Sequence, residues 1–136
     1  MLIDIDPDSE SPLYQQLRDQ VVHGIADGTL KPGDALASVR QLAGQFGINA
    51  ATVGKGYELL RHEGLVRTSR RSGSVIARGP DDQPTAGFEA GWADRLRTLL
   101  AEAVAHGVDD RSIREATNSL LLEFATRRAG STRNAS

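Results

Sequence analysis

The run from Ser38 to Ala77, SVRQLAGQFGINAATVGKGYELLRHEGLVRTSRRSGSVIA, reads as a short helix, a tight turn, a second helix and a two-stranded ribbon with a basic tip. Ser38 followed three residues later by Gln41 is a capping-box pattern, which satisfies free backbone N–H groups at a helix start. Val39, Leu42, Ala43 and Phe46 then recur at the three- and four-residue spacing of a buried helical stripe. Gly47 closes this helix, because a left-handed C-terminal residue is easiest for glycine. Only Ile48 separates it from Asn49, a good N-cap for a second helix. There Val53, Tyr57 and Leu60 form one stripe, Leu59 lies beside it, and Gly64 ends it. Two short helices joined by a turn of three or four residues make a helix-turn-helix.

Leu65, Val66 and Arg67, then Thr68 to Gly73, then Ser74 to Ala77 follow. Short β-branched segments around a tip containing Gly and Ser predict a hairpin. Arg70 and Arg71 occupy the tip, Arg67 its approach, and Arg78 the position just beyond. A solvated hairpin alone accommodates such arginines. Attached to the helix pair, they form the basic wing of a winged helix-turn-helix, suited to a phosphate backbone or the narrow minor groove. The expected partner is double-stranded DNA.

Upstream, a first helix is predicted from Pro12 to about Asp27, with Ser11 as its cap, Pro12 in the first turn and Gly28 at its end. Leu13, Leu17, Val21 and Ile25 recur every four residues and should pack on the other two helices. Tyr14 belongs with that core rather than with base stacking, and Lys31-Pro32-Gly33-Asp34 reads as a turn. Downstream, Gly79 to Gly87, GPDDQPTAG, reads as a linker. Beyond it one helical stripe runs through Phe88, Trp92, Leu96, Leu99, Leu100, Ala103 and Val104 to Gly107. A second, capped by Asp109 or Asp110, contains Ile113, Ala116, Leu120, Leu121 and Phe124. The expected organisation is therefore mainly α. A winged helix-turn-helix of three helices plus a β-hairpin wing spans 10–78, a linker 79–87, and a two-helix dimerisation region 88–128. A disordered tail is expected over 129–136.

The charge divides along the same boundaries. Residues 1–37 hold seven acids and two bases, residues 38–80 two acids and seven bases, and residues 81–136 nine acids and seven bases. The net −2 of the 136-residue chain therefore conceals a +5 segment coincident with the helix pair and wing. Positive charge there attracts phosphate and releases counterions, while acidic surfaces elsewhere restrict orientation. The absence of cysteine excludes disulfides and thiolate metal sites. No apolar run approaches the roughly 20 residues that span a bilayer. The acidic start MLIDIDPDSE lacks the basic and apolar regions of a signal peptide, so a cytoplasmic protein with no membrane partner is expected. His23, His62 and His106 are scattered, and neither H-E-x-x-H, G-x-S-x-G nor a phosphate-binding glycine loop occurs. No catalysis, cofactor or metal is expected.

These motifs resemble the DNA-binding domain of GntR-type bacterial transcription regulators. That pattern runs L-P-S-x-R-x-L-A, V-N/S-x-x-T-V, a tyrosine in the recognition helix, E-G-L-V, and a wing with G-x-G. This chain supplies Ser38, Arg40, Leu42, Ala43, Asn49, Thr52, Val53, Tyr57, Glu63, Gly64, Leu65, Val66 and Gly73. SPLYQQLRDQVVHGIADGTLKPGDAL resembles the family's first helix and K-P-G-D-x-L turn, so the likeness covers about the first 78 residues. Ala37 stands where the family usually has proline, making the approach to the second helix less rigid. Arg71 replaces the usual first wing glycine and puts the tip's backbone in question. Gly54 and Gly56 interrupt the recognition helix, each costing about 1 kcal/mol against alanine in an exposed interior. Either they reflect drift toward a weaker helix, or they let the backbone approach DNA closely.

In this reading the recognition helix, from about Ala50 to Glu63, enters the major groove with its N-terminal residues at base edges. Asn49, Ala51 and Thr52 lie there, with Lys55 a turn further. Ala51 suits a thymine methyl, and Thr52 a phosphate or base. The resemblance implies a backbone- or base-contacting role for Arg40, and Ser38 suits phosphate. Arg70, Arg71 and the Gly73 backbone form the wing contact. Arg61 is expected to be solvated or paired with an acid.

The two C-terminal helices cannot enclose a core alone. They pack either back on their own winged domain or, as favoured here, on a second copy, because two-fold proteins read two-fold sites. Phe88, Trp92, Leu96, Leu99, Leu100, Ile113, Leu120, Leu121 and Phe124 are the expected dimer residues. A short two-helix C-terminal region resembles the YtrA-type subfamily, which implies a homodimeric repressor, often of an ABC-transporter operon. The rival from another class is a protein-interaction adaptor that uses the winged fold without DNA. The sequence assigns no small-molecule effector; a small pocket across the dimer seam near Trp92 is the one place it leaves for one.

Overall fold

The computed structural model describes residues 5–134, with side chains described to Ser131. Seven elements follow in order: α1 (Leu13–Ala26), α2 (Val39–Phe46), α3 (Ala50–His62), β1 (Val66–Ser69), β2 (Gly73–Ile76), α4 (Phe88–Ala105) and α5 (Asp110–Asn134). The first five form a three-helix core with a β-hairpin wing.

Leu17, Val21 and Ile25 of α1 are buried against Val53, Tyr57 and Leu60 of α3, with Leu42 of α2 in the same cluster. Val66 and Ile76, facing partners in the antiparallel β1–β2 register, extend that cluster into the wing. The turn at 31–34 is closed by Asp34 N–H donating to the Lys31 carbonyl at 2.9 Å and Lys31 N–H donating to Asp34 Oδ2 at 2.8 Å. The chain then runs alongside β2, with Leu36 N–H donating to the Ser74 carbonyl at 2.8 Å and Ala35 bridging Val75. The wing is thereby tied to the segment that leads into α2.

Ser11 does not cap α1. The extended Pro12 (ψ 148°) occupies the N-cap position without a side-chain hydrogen bond. Instead Gln16 reaches back: its amide donates to the carbonyls of Asp6 and Ser11 at 2.9 Å, and its Oε1 accepts from Asp6 N–H at 2.8 Å. Glu63, just after α3, accepts from the Arg18 guanidinium with both oxygens at 2.8–3.2 Å, clamping α1 to the end of α3.

α4 and α5 form an arm. Asp109 Oδ1 accepts from Ser112 N–H at 2.8 Å, making it the α5 cap, and hydrogen bonding from the Ser112 side chain, with this backbone bond second, holds its carboxyl below the ordinary value. The expected disordered tail from Ala129 is a correction: α5 continues through Asn134, and residues 135–136 lie outside the described part. The last described turns are held by contacts that local sequence spacing does not reveal. Arg128 Nη1 donates to the Ala26 carbonyl at 2.9 Å, and Ser131 Oγ to the Gly28 carbonyl at 2.8 Å. α4 has no buried residue, so this helix is not packed on the winged domain, and the arm meets that domain through the end of α5. Among the described residues, no helix is long and apolar enough to cross a membrane.

Candidate nucleic-acid interface

The capping box forms as its spacing predicts. Ser38 Oγ accepts from Gln41 N–H at 3.1 Å, and Gln41 Oε1 accepts from Ser38 N–H at 3.0 Å. The exposed Ser38 hydroxyl keeps its own proton to donate. Val39 and Arg40 carry the first amides of α2, which have no partner inside the helix, so this end attracts anions. Gly47 terminates α2 with φ +62°, and the chain turns directly into α3.

Asn49 caps α3, its Oδ1 accepting from Ala51 N–H at 2.7 Å. Both amide protons of Asn49 remain for an outside acceptor. Ala51 is exposed and Thr52 half-buried beside it, so a methyl and a hydroxyl stand at the first turn. Lys55 is exposed, but its ammonium sits 3.9 Å from the centroid of the Tyr14 ring. Tyr14 is thus half-buried and supports a cation of α3, a role that the α1 stripe did not disclose.

The seven bases of residues 38–80 divide by partner. Arg61 donates to Glu58 Oε2 at 2.9 and 3.2 Å and to Ser74 Oγ at 3.4 Å, joining α3 to the wing. Arg78 is turned into the linker, bonded to Thr85 Oγ1 and the Gln83 carbonyl. Among the described residues, the side chains of Arg40, Arg67, Arg70 and Arg71 make no hydrogen bond or ion pair, and all four are exposed. The uncommitted positive charge therefore lies at the start of α2 and along the wing.

The wing tip needs no second glycine. Ser69 Oγ accepts from Arg71 N–H at 3.3 Å and Ser72 N–H at 3.4 Å, and positive φ falls on Gly73 alone (+69°). Arg71 consequently adds charge without backbone strain. The two glycines of α3 separate as well. A Cβ on Gly56 would lie 3.0 Å from Leu17 Cδ2 and 3.1 Å from the Tyr14 carbonyl oxygen, so Gly56 permits the close crossing of α1. Gly54 faces open space, one turn from both Ala51 and Glu58, which are exposed.

The predicted dimer residues differ in exposure. Leu96, Ile113 and Phe124 are half-buried, whereas Phe88, Trp92, Leu99, Leu100, Leu120 and Leu121 are exposed. A cavity of about 420 Å³ between α4 and α5 is lined by Leu96, Leu100, Val104 and Ile113, away from Trp92.

Residues 13–76 match the family described as bacterial regulatory proteins, gntR family. The chain is 34% identical over 114 residues to the HTH-type transcriptional repressor YtrA of Bacillus subtilis, spanning 84% of this chain and 88% of that protein. It is 43% identical over 96 residues to the HTH-type transcriptional regulator Rv1152 of Mycobacterium tuberculosis, spanning 70% and 79% respectively. Among solved structures, YtrA from Sulfolobus acidocaldarius, a GntR-family transcription factor, is similar with a TM-score of 0.60 at 35% identity, over 77% of this chain and 99% of that one. A transcriptional antiterminator from Listeria monocytogenes EGD-e shares the fold with a TM-score of 0.80 at 24% identity, over 88% and 90%. A helix-turn-helix with a capped second helix, a cationic wing and relatives aligned over most of their length place this chain in the GntR family of bacterial regulatory proteins, as a DNA-binding transcription regulator and not an enzyme.

Proposed function

We propose that the protein is a homodimeric repressor in which α4 and α5 join two copies and two α3 helices read a two-fold operator. The observation that carries this reading is the apolar surface of the arm. Phe88, Leu99, Leu120, Leu121 and Leu122 are each more than half exposed, at 54, 61, 54, 62 and 67%. At about 25 cal/mol per Å² of apolar surface, leaving these side chains in water is unfavourable, and a second arm supplies an apolar partner of the same chemistry.

On DNA, the N-terminal turn of α3 would present Asn49, Ala51 and Thr52 to base edges, with Lys55 following once it leaves Tyr14. Ser38 and Arg40 would hold one phosphate strand, and Arg70, Arg71 and the Gly73 backbone would hold another through the wing. Repression is supported by the similarity to the Bacillus subtilis relative, an HTH-type transcriptional repressor. An ABC-transporter operon is the target class that the YtrA-like resemblance suggests, and a DNA-binding regulator works in the cytoplasm.

Sedimentation of the full chain tests the assembly. The wild type should sediment as a dimer, and Leu99→Asp with Leu121→Asp should give a folded monomer. A wild type that stays monomeric at high concentration, alone and on DNA, would overturn the reading.

A further inference from the structure

The end of α5 caps the end of α1 from about a hundred residues away in the chain. The Ala26 carbonyl, in the last residue of α1, lacks an intrahelical partner and receives Arg128 Nη1 at 2.9 Å. The Gly28 carbonyl receives Ser131 Oγ at 2.8 Å, and Lys31 Nζ donates back to the Ser131 carbonyl at 3.4 Å. Arg127 lies 3.8 Å from Asp27, the C-cap of α1. These cations meet the negative end of the α1 dipole, where positive charge is favoured. The backbones approach closely: a Cβ on Gly28, where φ is +82°, would lie 3.2 Å from Arg128 Cα.

This contact joins the arm to the reading domain at a second point. The first is the covalent connection through residues 79–87, itself braced by Arg78 on Thr85 and Gln83. Held by the linker alone, a reading domain can swivel on its arm. Residues 79–82 of the linker and 128–129 of α5 border one pocket with Lys31 and Pro32, so two neighbouring holds at the base of the arm together restrain its orientation. In a two-fold assembly that orientation sets the distance between the two reading helices.

We infer that Arg128 and Ser131 are positioning residues that determine which half-site spacing the dimer accepts. The inference rests on the dimer proposed above. Neither residue needs to touch DNA, and the affinity of one reading domain for one half-site is independent of them.

The test uses the full-length protein and an operator series in which base pairs are inserted between the half-sites one at a time. The wild type should show a sharp optimum. Arg128→Ala with Ser131→Ala should lower the preference for that optimum over its neighbours by about tenfold while leaving single half-site binding unchanged. A second readout does not depend on DNA. The chain has no cysteine, so His62→Cys carries one spin label per reading domain. The label-to-label distance in the dimer should be narrow in the otherwise wild-type protein and broad with the two substitutions. A dimer whose spacing profile and distance distribution both survive the substitutions overturns this inference and leaves the dimer standing. A wild type that binds DNA as a monomer overturns both.

Discussion

The phenol of Tyr57, in the middle of α3, donates a 2.6 Å hydrogen bond to the carbonyl of Ala37, the residue just before the α2 cap. Ala37 occupies the place where the family pattern has proline, so a bond from α3 fixes a backbone that an imino ring would otherwise stiffen. Tyr57 is 1% exposed, and burial pushes its phenol up from 10.0 to about 12.

Tyr57→Phe should cost about 1–2 kcal/mol, because the ring still fills its site while the Ala37 carbonyl loses its donor. The pH dependence has a definite sign. The unfolded phenol ionises near 10 and the folded one near 12, so deprotonation favours the unfolded chain as pH rises through this window. Denaturant titrations should show wild-type stability falling between pH 10 and 12, and Tyr57→Phe should flatten this part of the fall.

The α3 glycines should respond oppositely to alanine. Gly54→Ala meets open space and should stabilise the fold by about 0.5–1 kcal/mol through helix propensity. Gly56→Ala drives a Cβ against Leu17 and the Tyr14 backbone and should destabilise it by about 1–3 kcal/mol despite the same propensity gain. Thermal melts of the two variants check the signs. Operator affinity of Gly54→Ala should fall, since the added methyl lies on the face that carries Ala51; unchanged affinity would mean that the helix backbone does not approach DNA there.

Wing cations and paired cations should separate in a salt titration. Arg70→Ala and Arg71→Ala should each reduce the slope of log affinity against log salt by about 1, since each removes one phosphate contact. Arg61→Ala should leave the slope unchanged, because its charge is already matched by Glu58. Equal slopes for all three variants would place the wing away from the DNA.

Replacing Arg40 or Thr52 should weaken specific operator binding by about 1–3 kcal/mol without changing the melting temperature. Arg40 is exposed and its side chain makes no hydrogen bond or ion pair among the described residues, so its loss costs the free protein little. An affinity unchanged in both variants would remove these residues from the interface.

The winged domain was legible because its signals are local. The Ser38–Gln41 box, the turn at Gly47 and the cap at Asn49 each involve residues at most four apart, and their geometry follows from backbone stereochemistry. What sequence reading missed is held by distant partners. Tyr57 meets Ala37 across twenty residues, Arg18 meets Glu63 across 45, and Arg128 meets Ala26 across 102. Nothing in AGSTRN marks a helix, since Gly130, Ser131 and Thr132 are weak formers, and tertiary contacts on the end of α1 outweigh that preference. The net +5 was legible as a sum. Its division into four uncommitted arginines, one lysine on an aromatic ring and two committed arginines was not, because that depends on where Glu58, Tyr14 and the linker carbonyls lie.

Dimeric, sequence-specific recognition can be read from sheared genomic DNA captured on the purified protein and then sequenced. A two-fold motif should be recovered at a small number of promoters, lost with Thr52→Ala and reduced to a single half-site by Leu99→Asp with Leu121→Asp. Retention of DNA with no shared motif, or of a lone half-site by the wild type, would contradict such recognition.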